Sequence, residues 1–276
     1  MLSPPEHIPA GRAGAVLAAL LEARTGQQIA SNRAWRVETA LKPLMRERGL
    51  PTVDALVEAM LAGTDPGLAD RIVDALLNQE TSFFRDAVVF DAVADALAQV
   101  SGHRPRVWCA GCATGQEPLS IAMLLAERSG EEAEIVATDV SDGALARARA
   151  GRYSQFEIQR GLPVRRMVRW FEPADADWAA RPELLARIAY RRANLVADPA
   201  PVGRFDLVTC RNVLLYLTPA QRGAVLAKIA GALRPGGVLV LGAGETVIGQ
   251  TDAFQPSARH RGLYERSDAS AARSAA

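Results

Sequence analysis

Residues 107–118 constrain the fold of this chain more than any other stretch. A short apolar run, Val107-Trp108-Cys109-Ala110, leads into Gly111-Cys112-Ala113-Thr114-Gly115-Gln116-Glu117-Pro118. A helix is expected to follow over 118–128. Strand, glycine-bearing loop and helix together make the first half of a βαβ unit. Residues 134–138 form a second short apolar run, which ends in Asp139, 24 positions after Gly115. Ser141 can cap the next helix, which stops at Gly151. Residues 205–210 read as a third strand. Thr218 caps a helix with Pro219 in its first position, and Pro235-Gly236-Gly237 closes it. Residues 238–241 make a fourth strand, and 262–266 an edge strand. Strands alternating with helices predict a mainly parallel, doubly wound sheet. The stretch 151–194 breaks the alternation. A helix at 164–168 and short strands around Trp170 and Trp178 predict a small β insert at about 165–193.

The first 75 residues have a different texture. Val16, Leu17, Leu20 and Leu21 follow helical spacing. Further helices are expected from about Ser31 to Gly49, over 53–62 with Gly63 as the stop, and over 68–77. This predicts an all-α domain over 1–75, a linker and helix over 76–105, a sheet domain over 106–267 and a disordered tail over 268–276.

The loop chemistry narrows the ligand. Glycine permits positive φ and close approach to the backbone. An acid at the end of the second strand can accept hydrogen bonds from both ribose hydroxyls. The spacing is Gly-x-x-x-Gly, not the dinucleotide Gly-x-Gly-x-x-Gly, which disfavours NAD and a dehydrogenase. A nucleoside without phosphate, S-adenosylmethionine, suits an acid-bearing loop better, with Glu117 placed to hold its ammonium. The charge balance is even, 32 Lys and Arg against 31 Asp and Glu, so a dedicated nucleic-acid role is disfavoured. Three cysteines cannot build a disulfide framework. Cys109-x-x-Cys112 has redox or zinc-like spacing, but no histidine lies nearby, since the three are His7, His103 and His260. No metal is expected, and buried reduced thiols are the simpler reading. No apolar stretch approaches the ~18 residues of a membrane span, and a cytoplasmic protein is expected.

Four separated motifs carry a family resemblance. They are Asn78-Gln79-Glu80-Thr81-Ser82-Phe83-Phe84-Arg85-Asp86, the loop 111–118, Ala137-Thr138-Asp139, and Cys210-Arg211-Asn212-Val213-Leu214-Leu215-Tyr216. Gln159-Arg160-Gly161-Leu162-Pro163, Asn194-Leu195 and Arg234-Pro235-Gly236-Gly237 join them. Together they resemble the chemotaxis receptor methyltransferase (CheR) family over about residues 10–266. The resemblance implies a Rossmann-like α/β methyltransferase domain behind a helical one. It implies S-adenosylmethionine as methyl donor, S-adenosylhomocysteine as product, and methyl-ester formation on receptor glutamates.

The resemblance also implies roles for individual residues. Arg85 approaches the methionyl carboxylate, Glu117 binds the ammonium, and Asp139 binds the ribose. Asn194 and Leu195 lie near the adenine. Asn212 and Val213 line the methyl end, and Tyr216 sits near the transferred methyl. Arg85 and Tyr216 position the reactants and move no proton. Gly111 and Thr81 belong to the cofactor cleft. Gln79 stands where the family usually has Asn, with Asn78 one step earlier. Arg33, Arg36, Lys42 and Arg46 lie on a helix with three more basic than acidic residues, and the resemblance implies that it docks on an acidic chemoreceptor helical bundle. Ala40 replaces an Arg found in many relatives. Some relatives bind a receptor-tail pentapeptide on the β insert. The insert here is shorter and lacks the glycine turn, which predicts a tail-independent enzyme; a monomer is the default expectation. The competing readings are a non-catalytic cofactor-binding adaptor and a methyltransferase of another substrate.

Overall fold

The computed structural model describes residues 11–29, 34–128 and 133–267. Ser31, Arg33 and the tail 268–276 lie outside the described residues. The chain divides into two compact units: Met1–Asn78 with Tyr216–Thr218, and Gln79–Leu215 with Pro219–Ala276.

The first unit carries helices α1 (Arg12–Thr25), α2 (Ala34–Arg48), α3 (Val53–Leu61) and α4 (Leu68–Leu76). Leu17, Leu41, Leu56, Leu68 and Ile72 are fully buried in its core. Each such side chain contributes roughly 1.5–3 kcal/mol of transfer free energy. Gly26 ends α1 in the left-handed conformation, and the Thr52 side chain caps α3 by accepting from the Ala55 N–H. Ion pairs Arg48–Asp65 and Arg71–Glu47 tie α2 to the residues around α4.

The second unit begins with α5 (Ala87–Ala98). A seven-stranded sheet follows, built from β1 (Arg106–Ala110), β2 (Glu134–Asp139), β6 (Ile188–Arg192), β7 (Phe205–Cys210), β8 (Leu233–Leu241), β9 (Phe254–Pro256) and β10 (Tyr264–Arg266). Their spatial order is β6-β2-β1-β7-β8-β10-β9. The first five run parallel, and β10 is antiparallel to both neighbours. Helices α6 (Gln116–Arg128), α7 (Asp142–Ala150) and α11 (Pro219–Ala232) connect the parallel strands. All six residues of β7 are buried, Asp206 and Thr209 included, as suits a central strand covered on both faces. From β1 the chain moves outward to β2 and β6, then returns to β7 on the other side of β1. The crevice at the carboxyl ends of β1 and β7 is therefore the topological switch point, where ligands bind in open α/β sheets.

Between α7 and β6 lies a separate antiparallel sheet of β3 (Arg152–Ser154), β5 (Asp177–Ala180) and β4 (Phe171–Ala174), in the order β3-β5-β4. Helices α8 (Gln155–Gln159), α9 (Val164–Trp170) and α10 (Pro182–Leu185) accompany it.

Four expectations need correction. The insert starts at β3, not at 165, and it stops before β6, which pairs along its whole length with β2 in the main sheet. β6 carries Arg191 and Arg192 at an exposed edge, so it lacks the apolar run of a central strand. Trp170 closes a helix, and the strand begins one residue later. Pro235-Gly236-Gly237 lies inside β8 rather than ending α11. There the β7–β8 register shifts between Phe205 and Leu207, and Gly237 packs where a Cβ would come 3.0 Å from the Asp206 carbonyl. β10 is not the edge. The three-residue β9, ending in Pro256, covers it, and Pro is an ordinary way to finish an edge strand.

Candidate functional site

The turn after β1 is held against the end of β2 by its own backbone. The Gly111 and Cys112 N–H groups both donate to the Thr138 carbonyl, at 2.8 and 3.0 Å. The Asp139 carboxylate bridges the two loops. One oxygen accepts from Ala113 N–H at 2.8 Å, and the other from Ser141 N–H at 3.0 Å. Gly111 has φ +81, and a Cβ there would lie 2.5 Å from a Val213 methyl. Glycine thus lets the ends of β1 and β7 close on each other. Gly115 has φ +94 and faces the Tyr153 and Tyr190 hydroxyls. Tyr153 donates to the Thr114 carbonyl at 2.8 Å, and burial pushes its phenol far above the usual range.

Glu117, in the first turn of α6, points across the crevice to β7. Its carboxylate accepts from the Thr209 hydroxyl at 2.6 Å and from Arg211 Nη1 at 2.9 Å. Arg211 is almost wholly buried. Its Nη2 also donates to the Arg85 carbonyl at 2.9 Å and to the Asp86 carboxylate at 2.6 Å. Its guanidinium lies 5.8 Å from the Phe90 ring centroid. These bonds fix the segment that precedes α5.

That segment is a strained turn. Phe84 and Asp86 have φ values of +46° and +60°. A non-glycine residue in that region costs on the order of 1–3 kcal/mol and persists only when its surroundings enforce it. Phe83 and Phe84 are buried, as packing residues should be. Phe83 stacks edge-on to Tyr153 and Phe171, with centroids 5.0 and 5.5 Å away. The Phe84 N–H donates to the Ser120 hydroxyl at 3.0 Å, and Arg166 covers the Phe84 ring at 4.3 Å. Gly161 touches the Phe83 carbonyl so closely that a Cβ would lie 2.0 Å from it. Arg85 is half-buried at the apex and donates to the Glu80 carbonyl at 3.3 Å. Thr81 is half-buried in the same segment. Gln79 Nε2 donates to the Ser141 hydroxyl at 3.2 Å, which brings Gln79 to the Asp139 loop.

The other expected site residues are placed differently. Asn194 turns its side-chain oxygen to its own loop, accepting from Val196 and Ala197 N–H at 2.9 and 3.2 Å. Lys228 donates to the Leu195 carbonyl at 2.7 Å and pins that loop to α11. Burial lowers the Lys228 ammonium below its ordinary value. Asn212 has φ +58. Its N–H and that of Gly242 donate to one Glu245 oxygen, at 2.7 and 2.9 Å, and Leu215 N–H donates to the other at 3.3 Å. Tyr216 belongs to the helical unit, where its hydroxyl accepts from Asn78 Nδ2 and its carbonyl from Gln28 N–H at 2.9 Å. Arg36, Lys42 and Arg46 are exposed on α2. Cys109, Cys112 and Cys210 are buried, and burial pushes all three thiols well up, as expected of inert structural cysteines.

Sequence reasoning assigned no role to Arg211, Glu245 or Lys228. Arg211 stands inside a quoted motif, and an arginine at the end of a buried strand was the available signal. Glu245 and Lys228 carried none.

Residues 79–263 match the family model described as "CheR methyltransferase, SAM binding domain". The chemotaxis protein methyltransferase Cher2 of Pseudomonas putida is 35% identical over 248 residues, covering 85% of this chain and 90% of that protein. Chemotaxis protein methyltransferase 1 of Pseudomonas aeruginosa is 34% identical with the same coverage. The chemotaxis protein methyltransferase of Vibrio parahaemolyticus is 35% identical over 245 residues, covering 85% and 89%.

The chain belongs to the CheR methyltransferase family. It carries that family's S-adenosylmethionine-binding domain, and its reaction class is methyl transfer from that donor. The donor set of this CheR chain suits the cofactor. Two carboxylates, Glu117 and Asp139, stand at the switch-point crevice, and the buried guanidinium beside them is bonded to Glu117 and Asp86. A pyrophosphate there would face carboxylates. A nucleoside bearing an ammonium and a sulfonium would be matched by them. Glu117 uses two of its roughly four acceptor sites on Thr209 and Arg211, so a ligand ammonium can still be received. No helix among the described residues is long and apolar enough to cross a membrane.

Proposed function

We propose that this CheR methyltransferase esterifies glutamate side chains on the cytoplasmic helical bundle of a chemoreceptor and so adapts a chemosensory pathway. The observation that carries the proposal is the similarity, over 85% of the chain, to chemotaxis protein methyltransferases, joined to a crevice whose charges suit S-adenosylmethionine. When bound, that cofactor supplies an electrophilic methyl group on a sulfonium.

The chain's own work is binding and alignment. Glu117 receives the ammonium of the methionyl group and Arg85 its carboxylate, as a guanidinium fork can do bidentately. Asp139 accepts from the ribose hydroxyls, with Gln79 bonded to the neighbouring Ser141. Thr81 and the Gly111 turn line the same cleft. Leu195 and Asn194 border the adenine. Asn212 and Val213 shape the methyl end, and Tyr216 orients the acceptor. A glutamate has a pKa of about 4.3, so it is an anion at pH 7 and needs no base to become a nucleophile. Holding oxygen, methyl and sulfur in line and removing water from the carboxylate supply the rate enhancement. The exposed Arg36, Lys42 and Arg46, with Arg33, steer the acidic receptor bundle to the enzyme. The enzyme works in the cytoplasm as a monomer.

Peptide mapping of receptor-containing membranes incubated with the enzyme and methyl-labelled S-adenosylmethionine tests the proposal. Label on glutamates of the receptor's helical bundle is expected. Label confined to another residue type, or absent while the cofactor binds, would overturn it.

A further inference from the structure

We infer that Arg211 is a positioning residue that holds Glu117 and the Arg85 turn in fixed register, so that one α-amino-acid group meets both. The inference rests on the reading that Glu117 takes the ammonium and Arg85 the carboxylate of the cofactor. Those two ligand charges are separated by a single carbon. Their receptors on the protein come from segments more than thirty residues apart, the turn before α5 and the start of α6. Something must set the distance between the two.

Arg211 touches both segments at once. One arm of the guanidinium bonds Glu117 at 2.9 Å. The other bonds the carbonyl of Arg85 itself at 2.9 Å and the Asp86 carboxylate at 2.6 Å. Only the planar fork of arginine can span these acceptors, because a lysine offers a single point of charge. The side chain is 4% exposed, so its bonds are little weakened by water. Its Nε is buried with no hydrogen-bond partner among the described residues. The turn it grips carries left-handed backbone at Phe84 and Asp86, on either side of Arg85, and so needs an external hold. The charge sum is also suitable. Glu117 and Asp86 balance Arg211 and Arg85, which suits a zwitterionic amino-acid group.

Calorimetric titration with two ligands tests this. S-adenosylhomocysteine carries the amino-acid group, whereas 5′-methylthioadenosine has the same adenine, ribose and sulfur without it. Wild-type protein is expected to prefer the former. Arg211→Lys keeps a cation beside Glu117 and should weaken S-adenosylhomocysteine binding about tenfold or more, leaving the shorter ligand within about twofold. Asp86→Asn removes a charge from a side chain that is 42% exposed, so the core is spared. It should lose about threefold in the same selective way. Equal losses for both ligands in Arg211→Lys, or unchanged selectivity in both variants, would overturn the inference. Wild-type protein that binds the two ligands equally would overturn the underlying reading of Glu117 and Arg85.

Discussion

A methyl group has no room at Gly161. Its Cβ would lie 2.0 Å from the Phe83 carbonyl, and its φ of +91° is one that side chains rarely adopt. Gly161→Ala must therefore displace the turn that presents Arg85. We expect a loss of roughly 2–4 kcal/mol in urea unfolding, together with weaker S-adenosylhomocysteine binding. An unchanged denaturation midpoint would contradict the packing described. The individual site residues were unequally legible. Glu117 and Asp139 stood out as candidates because strand, loop, helix and acid follow one another locally. Arg211 carried only the signal of an arginine after a buried strand, because its bonds reach Glu117 and Asp86, 94 and 125 positions away. Glu245 was equally hidden. It collects three backbone N–H groups from two loops, and nothing in sequence marks a carboxylate for that use.

Strands and helices with local signals matched their expected places. β7 coincides with the strand expected over 205–210, and Ser141 caps α7 by accepting from Ala144 N–H. β3, β6 and β9 were missed because each is short, exposed along part of its length, or defined only by its partner. Pairing between β1 and β2 supports a pH prediction. Arg106 forks onto Glu134 at 2.8 and 2.7 Å in register with it. That hydrogen-bonded pairing holds the Glu134 carboxyl below its ordinary value. Its stabilisation is thus present above the unfolded pKa and is lost as pH falls through the lower folded one. Glu134→Gln should lower Tm by about 2 °C at pH 7, with the gap closing under acid conditions. A gap that persists at low pH would refute the assignment. On α2, Lys42→Glu with Arg46→Glu should raise KM for receptor about tenfold at low salt, with the cofactor affinity unchanged. Kinetics that ignore the charge reversal would remove α2 from receptor docking. The β4–β5 connection is only two residues long, with Asp175 at φ +57 in place of a glycine. We expect no micromolar binding of a receptor C-terminal pentapeptide, and calorimetric detection of such binding would refute tail independence.

The whole chain could be read as a helical region followed by a doubly wound sheet because its apolar periodicity changes near residue 106. The antiparallel sheet was anticipated, but its limits were not, since its three strands gain their identity only by pairing with one another. Family membership rests on motifs spread through both halves of the sheet. The receptor glutamate rests on chemistry that only an acceptor can reveal. The decisive measurement incubates receptor membranes with methyl-labelled S-adenosylmethionine, using wild-type protein beside Arg85→Ala. The account predicts label on a receptor-sized band, released as methanol by mild alkali, and a fall of about 100-fold or more in the variant. Alkali-stable label, or no label from a protein that binds the cofactor, would contradict it.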